Sequence, residues 1–246
     1  MKKQGLIPPD TEFIKITSDP AFYQELWNSQ IKFDDPHSVY ISRQSIGKII
    51  LGKGTRIRPN VYFLSPVVIG KNCVIGPQTT LANVVMGDGN IIEFTHIIDS
   101  RNGYFNMIGP HAQIETSSMG NENTFGPVQI ERSRIGNYNK GKHHCYIGDT
   151  QAGNFINFSA GLITANYGGE GEKHITVIED GAFLGANVNL VAHVVIGRES
   201  FIGDGATIRK NVTPHAVIVG LDKVVPYQES YRTATGWVRI FVPKNE

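Results

Sequence analysis

A period of six runs through this chain and decides most of what it can fold into. From residue 178 the sequence reads IEDGAF, LGANVN, LVAHVV, IGRESF, IGDGAT and IRKNVT, six consecutive hexads ending at Thr213. Their first positions are Ile178, Leu184, Leu190, Ile196, Ile202 and Ile208; their fifth positions are small or β-branched. An earlier block, LGKGTR, IRPNVY, FLSPVV, IGKNCV and IGPQTT, covers Leu51 to Thr80, and Leu81 opens a further unit. Between the blocks the register falters but survives at Met86, Ile92, Ile98, Ile108, Ile114, Ile135, Ile147 and Phe158.

Six is neither the helical period of 3.6 nor the strand period of 2. It fits a triangular coil in which each hexad makes one flat side and one corner. The first-position aliphatic points into the prism, and Gly or Asn near each corner tolerates the positive φ of a tight turn. Three hexads complete a turn, and turns stack as parallel strands ~4.8 Å apart. Residues 51–213 then make roughly nine turns, a prism ~40 Å long by that spacing. The 27 glycines among 246 residues suit such a chain, with its short strands and frequent turns.

Ahead of the repeats, residues 18–31 read as a short helix. Ser18 or Asp19 serves as N-cap and Pro20 sits in the first turn. This segment is expected to cover the open end of the prism. The domain reading is a cap over residues 1–48, a β-helix over 49–220 and a tail over 221–246. Tyr231, Trp237 and Phe241 of the tail are expected to pack on the prism or on a neighbouring subunit. Lys plus Arg number 23 and Asp plus Glu 22, a net charge of +1. That balance gives no reason to expect nucleic acid or a membrane as partner. Two cysteines, Cys73 and Cys145, exclude a disulfide framework. With no signal sequence after Met1 and no run of ~18 apolar residues, a cytoplasmic location is expected.

A regular coil makes no site alone, so its interruptions matter. One is Lys140-Gly141-Lys142-His143-His144-Cys145-Tyr146-Ile147-Gly148-Asp149. The other is the polar excursion Thr164 to His174. A Gly-rich polar loop leaving a rigid prism is where binding groups are usually carried. The first interruption holds two imidazoles, His143 and then His144, which could exchange roles, and an imidazole accepts a proton near neutral pH. Cys145 beside them raises the thought of a thiol nucleophile, but neighbours on a strand point to opposite faces. A metal site is also conceivable, with His143, His111, His174 or His193 converging from two subunits.

From about Ile108 to Val219 the chain resembles the acetyltransferase domain of the bifunctional glucosamine-1-phosphate acetyltransferase / N-acetylglucosamine-1-phosphate uridyltransferase family. The matching stretches are IGPHAQI, RIGNYNKGKHHCYIGD, AGNFINFSAGLITANY, the Lys173 region and ATIRKNVTPHAVIVG, with Gly236-Trp237 in the tail. The resemblance implies an all-β fold, a left-handed parallel β-helix, and a homotrimer with the site between neighbouring prisms. It implies acetyl-CoA as acyl donor and no required metal. His143 falls at the family's catalytic histidine and Asn166 at an active-site asparagine that orients the acceptor or meets developing charge. Tyr146, Asn157, Tyr167 and Lys173 fall at acceptor-side positions, and Ala160 beside the CoA arm. No counterpart of the uridyltransferase domain precedes the repeats.

The family's pattern is broken in two places. Two cations that hold a sugar phosphate align with Glu115 and Glu131, and a family carboxylate aligns with Gln129. Carboxylates in place of cations repel phosphate, so the expected acceptor is an amine without phosphate, an aminosugar or amino-acid derivative. On the donor side a hydroxyl position is Ala186, a small alanine position is Asp204 and a late arginine is Leu221. Lys223, Lys210 and Arg209 remain to meet CoA phosphates. The expected function is therefore CoA-dependent N-acetylation with His143 as base. The alternatives are a catalytically inactive scaffold or binding protein, and a γ-carbonic-anhydrase-like metal lyase.

Overall fold

The computed structural model describes residues 10–219 (Ser65 by its backbone alone) and the backbone of 223–225, 230–233 and 236–239. These residues wind into a left-handed parallel β-solenoid of about 10 turns with one α-helix. Three stacks of short strands make three faces. The first face includes Ala112–Glu115, Val128–Glu131, Cys145–Gly148, Ile163–Ala165 and Asn189–Val191, each parallel to the next. The second includes Ser118–Met119, Arg134–Ile135, Thr150–Ala152 and Thr176–Ile178. Lys140–Gly141, Asn157–Phe158, Phe183–Leu184 and Phe201–Ile202 lie on the third.

Positions one and five of the hexads both turn inward. Ile178, Leu184, Leu190, Ile196, Ile202 and Ile208 are buried, and so are Ala182, Val188, Val194, Ser200, Ala206 and Val212. One aliphatic at every side, with a smaller residue beside it, suits the close packing of a triangular section. The uncertain middle register has a simple cause. Tyr62 pairs with Thr80 and Asn189 with Thr207, both full turns of eighteen. Thr80 instead pairs with His96 and Ala112 with Val128, sixteen residues on. The shortened turns shift the pattern, so Ile97 is fully buried while its neighbour Ile98, expected inside, is half-exposed.

The shortened turns are held by polar ladders inside the prism. Asn90, Asn106, Asn123 and Asn139 are all fully buried and stack one above another. Each side-chain carbonyl takes the backbone N–H of the next: Asn106 N to Asn90 Oδ1 at 2.9 Å, Asn123 N to Asn106 Oδ1 at 2.9 Å, Asn139 N to Asn123 Oδ1 at 2.8 Å. Ser100, Ser117, Ser133 and Thr150 form a second ladder, hydroxyl to the next N–H, at 3.0–3.1 Å. Buried amides are thereby satisfied at corners where the strand pairing cannot reach.

The helix α1 spans Pro20–Asn28. Asp19 is its N-cap, accepting from Phe22 N at 3.0 Å, with Pro20 in the first turn. Phe22 and Leu26 join the core. Parallel pairing begins ahead of residue 49: Lys32–Phe33 pairs with Arg56–Ile57, and Val39–Ile41 with Val61–Phe63. At the other end Lys223–Val225 turns back antiparallel on Val217–Val219. Of the tail, Tyr231 and Trp237 lie in a two-stranded antiparallel ladder described by backbone only. Leu221 and Phe241, and the side chains of Tyr231, Trp237 and Lys223, lie outside the described residues.

Candidate active site

His143 sits on the edge where the third face turns into the first. The residue following it, His144, adopts φ +50°. The same left-handed step recurs up this edge at Gly161, Asn187 and Gly205. Each uses its N–H to tie onto the turn below: Gly161 N to His143 O at 3.0 Å, Asn187 N to Ala160 O and Gly205 N to Ala186 O, both at 2.7 Å. His143, Ala160, Ala186 and Asp204 therefore occupy one position repeated turn after turn, in line along a single edge. The imidazole of His143 is exposed and has no hydrogen-bond partner among the described residues. Above it the alanines leave the edge unobstructed for two turns, ~10 Å at the strand spacing. The Asp204 carboxyl at the top turns down to accept the N–H of Ala186 at 2.7 Å.

The first face begins beside this edge. Gln113, Gln129, Tyr146 and Ile163 are consecutive rungs of one outward ladder, and they line a shallow groove with His144. Glu115 and Glu131 form the adjoining ladder, and the next rung above them is Gly148. A side chain there would collide: a Cβ on Gly148 would lie 2.5 Å from the Tyr146 hydroxyl and 2.6 Å from Asn166 Nδ2. The missing side chain is what lets the Tyr146 ring lie across the strand.

The far edge of that face carries Arg132, Asp149 and Asn166 in successive turns. Asn166 Nδ2 donates to the Tyr146 hydroxyl at 3.2 Å and to Asp149 Oδ2. Asp149 is also gripped by Arg132, Nε to Oδ1 at 2.8 Å and a second N–H to Oδ2 at 2.9 Å. The remaining Arg132 nitrogen meets Glu131 at 2.6 Å. These bonds, Asp149 first, push the guanidinium pKa above its ordinary value. The single Arg132 charge is shared between Asp149 and Glu131, so these three side chains together stay negative, while among the described residues the Glu115 carboxyl receives only Gln113 Nε2, at 2.6 Å. Arg132 and Asp149 were not among the residues expected from sequence. Both follow a first-face strand directly, but seventeen residues apart, so a strict count of eighteen hides their alignment.

The polar excursion leaves the prism at this same corner. Its ends close through a Tyr167–Lys173 bridge and His174 N to Asn166 O at 2.9 Å. His174 pairs with Glu170, holding that carboxyl below its usual range, and its ring packs on His193 at 4.2 Å. The side chains of Tyr167 and Lys173 are exposed. Asn157 stands apart: it projects from the third face, its amide donating to Ser159 Oγ at 2.7 Å. One chain therefore places Tyr146, Gln129, Glu115, Glu131 and Asn166 along one face, with His143, Ala160, Ala186 and Asp204 up its edge, and it is His144 that lines the groove. The same chain places Asn157 around the corner.

Cys145 is buried, and its Sγ rests against the Ser159 carbonyl at 3.1 Å. Burial pushes its thiol pKa up, away from nucleophilic use. Among the described residues no three of His, Cys, Asp and Glu within a chain are grouped to hold a metal, and no helix is long and apolar enough to cross a membrane. A second depression, on another edge, is lined by Arg134, Phe155, Asp180 and Arg198 and contains none of the candidate residues.

Residues 48–83 and 175–210 match the bacterial transferase hexapeptide (six repeats) family. The bifunctional protein GlmU of Carboxydothermus hydrogenoformans is 37% identical over 204 residues, 82% of this chain and 45% of that protein. GlmU of Heliobacterium modesticaldum is 38% identical over 187 residues, 75% of this chain and 40% of that one. The chain spans less than half the length of these relatives. Among solved structures, a UDP-N-acetylglucosamine acyltransferase from Bacteroides fragilis 9343 superposes with TM-score 0.46 at 22% identity, covering 67% of this chain and 71% of its own.

Proposed function

Since residues 48–83 and 175–210 match the bacterial transferase hexapeptide family and the described residues form a left-handed β-helix, we propose that the chain is a CoA-dependent acyltransferase acting on a small amine without phosphate. The observation that carries this reading is the single edge shared by His143, Ala160, Ala186 and Asp204. An extended thioester donor laid along the two alanines ends at His143, beside the groove where the acceptor lies.

In this reading the amine nitrogen attacks the thioester carbonyl carbon while His143 takes its proton. The C–N bond forms, the tetrahedral intermediate expels the CoA sulfur, and the imidazolium returns the proton to that leaving thiolate. Asn166 meets the acceptor with its carbonyl oxygen, because its NH2 is committed to Asp149 and Tyr146. It then receives an amine N–H rather than stabilising an oxyanion. Glu115 gives the groove a negative wall suited to the ammonium form of the acceptor, which gives one proton to solvent before the neutral amine attacks. Lys173 and Tyr167 of the excursion close over it, and Lys223 meets the donor's phosphates.

Asn157 and Tyr146 project from different faces, so a ligand touching both needs a second copy. That supports a homotrimer with the site between prisms. Acetyl-CoA is the donor we favour, without a metal, and the two unpaired buried thiols support a cytoplasmic setting. Asp204 at the top of the edge, where a small residue would leave more room, favours one competing reading, a binding protein without turnover.

Free-thiol release from acetyl-CoA with a panel of aminosugars and amines decides between them. Acceptor-dependent release that falls ~10²–10⁴-fold in His143→Ala is the expected result. Release from no acceptor, with no CoA binding, would leave the binding protein.

A further inference from the structure

We infer that Arg132 is a positioning residue which, through Asp149, decides which way the Asn166 amide faces the acceptor. The inference rests on the acyltransferase reading for its kinetic consequence, but its geometric content stands separately. Arg132 and Asp149 occupy the same corner in successive turns, both with left-handed backbone, φ +47° and +48°. Backbone bonds fix the corner: Arg132 N to Glu115 O at 3.0 Å, Asp149 N to Glu131 O at 2.9 Å and Thr176 N to Asp149 O at 3.0 Å. The guanidinium then holds both carboxyl oxygens of Asp149 in a fork, a geometry an ammonium cannot reproduce.

An amide side chain is pseudo-symmetric, and nothing in its shape distinguishes its two ends. A carboxylate bound to arginine has only lone pairs to offer, so the Asn166 NH2 must turn to it and Oδ1 must turn outward. Without the guanidinium, Asp149 would stand next to Glu131 with no cation. It could then rotate away or take up a proton and become a donor. Either change frees Asn166 to present NH2 to an attacking amine, donor against donor. Arg132 itself contacts no reacting atom, and its influence passes through Asp149.

The test combines kinetics and crystallography on the full-length chain. Arg132→Gln is expected to lower kcat for acceptor-dependent thiol release by ~10–100-fold, the scale of a misplaced reacting group, with KM for acetyl-CoA unchanged. Arg132→Lys should recover only part of it. Asp149→Asn, nearly isosteric, should match Arg132→Gln and guards against a folding defect in the latter. Asn166→Ala combined with Arg132→Gln should be no slower than Asn166→Ala alone, within about threefold. Losses that multiply in the double variant, or a kcat equal to wild type in Arg132→Gln, would overturn the inference. If the wild type releases no thiol, the acyltransferase reading fails, and the neutron crystal structure of Arg132→Gln still decides the geometric claim. Neutron density that shows the Asn166 amide reversed, or rotated off the Tyr146 hydroxyl, supports it, and density that keeps Nδ2 on both Asp149 and the hydroxyl refutes it.

Discussion

At the scale of single residues the site depends on one side chain that is absent. Gly148 needs no unusual backbone; it needs the space over which Tyr146 lies. In Gly148→Ala the side chains give way first, because the colliding atoms are the far ends of Tyr146 and Asn166 rather than backbone. Stability should change by less than about 1 kcal/mol, while acceptor-dependent turnover falls by about tenfold or more. A thermal melt and a steady-state assay on the same sample check both halves. The buried thiols make a second prediction. Desolvation is the largest cause raising the pKa of both Cys73 and Cys145. An acid whose pKa is higher folded than unfolded stabilises the fold below the unfolded value, here ~8.5, and that contribution is lost as pH rises toward the folded value. Urea midpoints should therefore decline above about pH 8.5, and a Cys73→Ala/Cys145→Ala protein should decline less. Sequence made His143, Tyr146 and Asn166 visible because each lies in a motif. It did not reveal Arg132 and Asp149, whose meaning comes from stacking and which are separated by a turn of unexpected length.

At the scale of elements, two buried asparagines of the same prism have opposite effects. Asn123 gives its carbonyl to Asn139 N and Asn106 its own to Asn123, while Asn123 Nδ2 reaches Gly136 O at 2.9 Å. Asn123→Ala leaves several of these groups buried and unpaired, and should destabilise by about 3 kcal/mol. Asn102 points inward between Met86 and Met119, and neither atom of its amide has a partner. Replacing it with leucine removes an unsatisfied amide from among adaptable methionine side chains, and should stabilise by about 1–2 kcal/mol. Paired urea titrations read the two signs directly; two losses of similar size would contradict this account of the ladders. Composition alone treats the two residues alike. Their difference is one of register, and register was what the sequence left open between Met86 and Phe158, as the exchange of Ile97 for Ile98 shows. The end blocks, with their unbroken hexads, were legible to the residue.

At the scale of the whole molecule, the prism is a one-dimensional stack in which each turn answers only to its neighbours. That explains why the architecture could be read from periodicity while the site could not. The wall repeats and the corners vary. The corner beyond Asn166 holds the largest variation near the site: Ile163 pairs with Asn189, Thr164 with Leu190 and Ala165 with Val191, across an excursion the ladder does not count. Nothing in the wall records how long that excursion is. Descendants of such a chain can lengthen, shorten or exchange it while every strand keeps its address. Selection can therefore try new acceptors at this corner without folding having a vote in the outcome.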